Sequence, residues 1–147
     1  MKRKIVSLAL VAIFAGLWGA SPAAADDARL YATLSGANER PGPGDPDAIG
    51  RVVITINDAA NQICAAVQFT NATLPATGMH IHFAPPGSAG PIVVPFTTPT
   101  TNQIYECKTV ENEALLDNIA ANPSQYYFNI HNAEYPGGLA RGQLQAI

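Results

Sequence analysis

Imidazole binds transition metals and exchanges protons near neutral pH, and this chain has three: His80, His82 and His131. The first two stand in "GMHIHF". There Met79, Ile81 and Phe83 take one phase of an alternating strand, and His80 and His82 take the other. The third closes "YYFNIH", where Tyr126, Phe128 and Ile130 share one phase and Tyr127, Asn129 and His131 the opposite one. All three imidazoles therefore leave the apolar face of their strands. Neighbouring strands would bring them together on one patch. Residues i and i+2 of a strand lie roughly 7 Å apart at the backbone, so both rings can reach one ion. Imidazole suits Cu, Zn, Fe or Ni, and three nitrogens with an open position form a recurrent metal site. The spacing makes a mononuclear metal site at His80, His82 and His131 the specific expectation. Outward-facing histidines also serve simply to hydrogen-bond loop carbonyls and carboxylates, and H-x-H by itself does not separate the two roles.

Other chemistry has little support in the chain. No G-x-S-x-G turn is present, and Ser35, Ser88 and Ser124 have no nucleophile motif around them. No catalytic residue is assigned, and whether the protein is an enzyme stays open. Asp45 and Asp47 lie in a Pro/Gly-rich stretch without EF-hand spacing, which reads as a solvated loop rather than a calcium site. Arg141 stands in "PGGLARGQL". Its guanidinium fork suits a carboxylate, and Glu39 is a candidate acceptor. A structural ion pair joining two strand ends is the first expectation for them, and an anion site beside a bound metal the second. Cys64 and Cys107 are the two cysteines, and no C-x-x-C motif exists. In an oxidising compartment they read as a disulfide across 43 residues, which the chain-entropy model values at ~4 kcal/mol.

The compartment follows from the start of the chain. Met1-Lys2-Arg3-Lys4 is basic, residues 5–20 carry no charge, and Ala23 and Ala25 fit an A-x-A cleavage site. This predicts a signal peptide over residues 1–25 and a secreted or periplasmic domain over 26–147. The apolar run is shorter than the ~20 residues a spanning helix needs. All 11 acidic residues lie beyond Ala25, against five of the eight basic ones. Such a chain has no basic stripe for nucleic acid.

Strand signals recur at 29–35, 51–57, 62–70, 78–83, 92–95, 104–108, 126–131 and 142–147. Residues 111–121 read as one short helix that presents Ala114, Leu115 and Ile119 on one face and ends before Pro123. About eight short antiparallel strands with turn signals between them predict an all-β fold, a Greek-key β-sandwich. The Pro/Gly-rich loops 37–50 and 84–91 are its candidate recognition surface.

Three blocks carry a family resemblance: "LSGANERPG", "MHIHFAPPGSAGPIVVPF" and "YYFNIHNAEYPGGLARGQL". In order and spacing they resemble the CHRD (chordin) domain family, from Arg29 to Leu144. The resemblance implies chiefly a fold and an extracellular setting. Chordin's cysteine-rich modules, which carry its growth-factor binding, have no counterpart here. A more distant resemblance is to the copper/zinc superoxide dismutases. In that family a strand H-x-H pair and a later histidine ligate copper, and an arginine follows; His80, His82, His131 and Arg141 stand in that order. The metal-bridging and zinc-site histidines are missing, so only a copper site with three nitrogens could be built. Three readings result. The first is a non-enzymatic binding module for a protein or glycan, with a copper site at the three histidines. The alternatives are a copper-only dismutase-like enzyme and a structural envelope or matrix component.

Overall fold

The computed structural model describes residues 27–147. The expected signal peptide lies outside these residues. Nine strands form in order: β1 (Ala28–Ser35), β2 (Ile49–Asn57), β3 (Gln62–Thr70), β4 (Ala76–Phe83), β5 (Ile92–Pro95), β6 (Gln103–Thr109), β7 (Tyr126–Asn132), β8 (Ala140–Gln143) and β9 (Gln145–Ala146). One α-helix, α1 (Glu113–Ala121), precedes β7. No helix among the described residues is long and apolar enough to cross a membrane.

Local chemistry sets the elements. β2 and β3 alternate apolar and polar residues, and the turn between them is closed by two asparagines. The Asn57 side chain accepts from the Ala60 amide at 2.8 Å. Asn61 takes the left-handed conformation, φ 49°, which asparagine tolerates better than most residues. The two strands then pair from Ile49↔Thr70 to Asn57↔Gln62.

All strand pairs are antiparallel, in the order β5-β4-β7-β8-β1-β2-β3-β6, with β9 beside β1. The sheet curls into two halves. After β3 the chain crosses to lay down the β4–β5 hairpin, returns with β6 beside β3, and crosses again for β7. Both halves fill one core. Leu30, Leu34, Val52, Ile54, Ile63 and Phe69 of one half meet Met79, Ile81, Phe128 and Ile130 of the other. Burial of each such side chain contributes about 1.5–3 kcal/mol. The expected all-β sandwich is therefore the fold.

Three details differ from the sequence reading. The expected last strand over 142–147 starts at Ala140 and is interrupted at Leu144, which divides it into β8 and β9. Both pieces pair with β1 in one register, Ser35↔Arg141 and Tyr31↔Gln145. β8 also pairs with β7, and between the two pieces Leu144 is fully buried while its amide bonds the Tyr126 carbonyl. The helix starts two residues late, capped by the Asn112 side chain on the Leu115 amide. Its buried face is Leu116 and Ile119, not Ala114 and Leu115. Asp45 is buried rather than solvated; its carboxylate accepts from the amides of Asp47 and Ala48 and folds the loop inward.

Cys64 and Cys107 face each other on β3 and β6 and form a disulfide, with Cα atoms 4.0 Å apart.

Candidate metal centre

Strands β4 and β7 are paired, and their register sets His80 opposite Asn129, His82 opposite Tyr127 and Gly78 opposite His131. Met79 and Ile81 enter the core from the other face. The three imidazoles converge as the alternation predicted. Each offers a ring nitrogen, and these nitrogens lie within 4.8 Å of one another. The three histidines are close enough to bind one metal ion. A tetrahedral ion with Zn–N-type bonds of ~2.0–2.1 Å needs ligand atoms roughly 3.3 Å apart, so small ring rotations close the site.

Gly78 makes room for this. A Cβ there would stand 2.6 Å from His80 Cε1 and 3.3 Å from His131 Cδ2. The bare backbone lets both rings lie over the strand.

The hydrogen bonds define which nitrogens are available. His82 Nδ1 lies 2.9 Å from the Gly90 carbonyl, and His131 Nδ1 lies 3.0 Å from the Pro136 carbonyl. A carbonyl only accepts, so both Nδ1 atoms carry the proton and both Nε2 atoms present a lone pair. This is how metal-ligating histidines are commonly oriented by a second partner. His82 Nε2 and His80 Nδ1 are buried with no hydrogen-bond partner. His131 Nε2 lies 3.2 Å from Asn129 Oδ1, and with the His131 proton on Nδ1 these two acceptors make no hydrogen bond with each other.

Burial keeps the rings neutral. His80 is lowered to about 4, first by desolvation and then by its neighbours His131 and His82. Desolvation also lowers His82, against the bond to Gly90, and lowers His131, against the bond to Pro136. Three neutral imidazoles with free lone pairs suit a cation better than a proton.

A loop closes over the site. The Tyr127 ring stacks on His82 with centroids 4.7 Å apart, and the Arg141 guanidinium carbon lies 3.4 Å from the centroid of the same ring. Tyr127 accepts from the Gly90 amide. Arg141 donates to the carbonyls of Ser88 and Pro85, and Gln143 to that of Ala84. Loop 84–91 is thus tied down from end to end.

This corrects the expectation for Arg141. It forms no ion pair with Glu39; the ion pair among the described residues joins Lys108 and Glu106. The loop carbonyls take the guanidinium instead. Glu39 is nevertheless buried nearby, 2% exposed, pressed against Gly138, with Oε1 unpartnered. Burial pushes its carboxyl up to about 7, against the charge of Arg141 and hydrogen bonds from the Arg40 backbone and Asn129. Tyr127 and Asn129 were missed as site residues. Their signal was present: both lie in the phase of His131.

An all-β sandwich with a three-histidine cluster on its outer face defines the class. The model of the CHRD domain matches residues 30–144. The chain belongs to the CHRD domain family, which suggests a binding module. No curated protein and no solved structure shows a significant match to it.

Proposed function

We propose that this chain is a secreted or periplasmic CHRD domain, residues 26–147 after cleavage behind Ala25, that binds one transition-metal ion at His80, His82 and His131. Its role is binding rather than catalysis. The convergence of three neutral imidazole nitrogens within 4.8 Å carries this reading, and the two buried nitrogens without partners support it. Copper is the better candidate, because a nitrogen site ranks Cu²⁺ above Zn²⁺. The engagement of Arg141 by loop carbonyls argues against its drawing an anion to the ion, and so favours binding over superoxide turnover.

The test is electron paramagnetic resonance of the copper-loaded protein. Coupling to three nitrogens, reduced to two in His131→Ala, is the expected result. An unchanged spectrum in His131→Ala would remove that residue from the site. Superoxide consumption by the loaded protein faster than by free copper would favour the dismutase-like alternative.

A further inference from the structure

The opposite half of the sandwich presents a second surface. On its outer face one row runs across four strands: Tyr31, Val53, Ala66 and Tyr105 are successive register partners. The tyrosines stand at its ends, about 14 Å apart at three strand spacings. Both are exposed, Tyr105 at 71%. Both rings are held: the Tyr31 hydroxyl donates to Gln145 Oε1 at 2.8 Å, and the Tyr105 hydroxyl lies 3.2 Å from Cys107 Sγ. The small side chains between them leave a trough. Two cavities of about 450 and 460 Å³ meet there at Arg51, Val53 and Gln68. The adjacent row, Thr33, Arg51, Gln68 and Gln103, lines it with hydrogen-bonding groups.

Charge singles out this face. Beyond Ala25 the chain has five cations and 11 acids. Arg141 and Arg40 are bonded to backbone carbonyls and Lys108 to Glu106. Among the described residues the two cations without such partners, Arg29 and Arg51, both lie on this face. None of its strand positions in β1, β2, β3 or β6 carries an acid. An anionic ligand is complementary to it. Flat, fixed aromatic rims beside neutral amides and hydroxyls suit sugar rings, which offer an apolar face and a hydroxyl edge. A trough this shallow offers a peptide side chain no deep pocket.

We propose that the outer face of β1, β2, β3 and β6 binds a uronic-acid-containing polysaccharide, laid along the row from Tyr31 to Tyr105 with a sugar carboxylate on Arg51. Native gels of residues 26–147 containing polygalacturonate, dextran or polyglutamate test this. Retardation by polygalacturonate is expected, weakening at least about tenfold in Arg51→Ala, the loss of one charge-assisted contact, and also falling in Tyr105→Ala. Thermal melts confirm that these surface variants fold. Binding in His80→Ala/His82→Ala should equal that of the parent, since the two sites lie on opposite halves. No retardation by polygalacturonate, or none of the loss in both variants, overturns the proposal. Equal retardation by polyglutamate would replace the glycan with an acidic peptide, and equal retardation by dextran would remove the role of charge.

Discussion

Glu39 stands in a Pro/Gly-rich stretch of the sequence and is nevertheless buried, 2% exposed. Its folded pKa of about 7 lies above the ordinary carboxyl value of 4.5, so the folded state keeps a proton that the unfolded chain releases. Its contribution is present in full below pH 4.5 and is lost as pH rises through 7. At 1.36 kcal/mol per unit the loss is at most about 3 kcal/mol. Glu39→Gln removes it. The melting temperature of Glu39→Gln relative to the parent should therefore climb between pH 5 and pH 8; a flat difference would show that Glu39 ionises normally. His80 has the opposite sign. Its folded pKa of about 4 is below 6.5, so its contribution is present above pH 6.5 and declines as pH falls toward 4. The two windows overlap, which is why the Glu39 effect is read as a difference between variants. The sequence offered Glu39 as a partner for Arg141, but nothing in "NER" announced its burial, which depends on Gly138, nearly a hundred residues away.

At the scale of elements, the β4–β7 pair and loop 84–91 form the site. Gly78→Ala places a methyl group against His80 and should weaken metal binding by about tenfold or more while the core face of β4 is untouched. A metal titration of that variant beside the parent decides it, and equal affinity would show that His80 is not held over Gly78. Arg141→Ala frees the loop that orients His82 through Gly90. Loss of such an orienting partner typically costs 10–100-fold in metal affinity. Faster hydrogen exchange at the Gly90 amide should accompany it, and unchanged exchange would mean the loop holds without Arg141. The disulfide acts on the other half. Cys64→Ala/Cys107→Ala should lower stability by about 2–4 kcal/mol in denaturant unfolding, and no change would assign the pairing of β3 and β6 to the ladder alone. Alternation made most of this legible. It placed the three histidines in one phase and gave the strands within one to two residues at nearly every boundary. The exceptions are physical. The interruption at Leu144 depends on how the last strand fits between β7 and β1, and the buried face of α1 on which half of the sandwich it covers.

For the whole molecule, composition and pattern were enough for the all-β sandwich, and the block order was enough for the CHRD family. Sequence carried the candidate ligands but not their surroundings. The partner of Arg141 was missed because its acceptors are backbone carbonyls of a distant loop, which leave no trace in residue type. Because an ion bound to the folded state stabilises it, saturation at one hundred times the dissociation constant should add about 2.7 kcal/mol. A chelator should reverse the gain in melting temperature.

The most direct measurement is a calorimetric titration of residues 26–147 with Cu²⁺ and Zn²⁺ beside His80→Ala/His82→Ala. The account predicts one equivalent of copper bound at sub-micromolar Kd, tighter than zinc, and lost in the double variant. No binding, or equal weak binding by both proteins, would contradict it and leave the three histidines as structural residues.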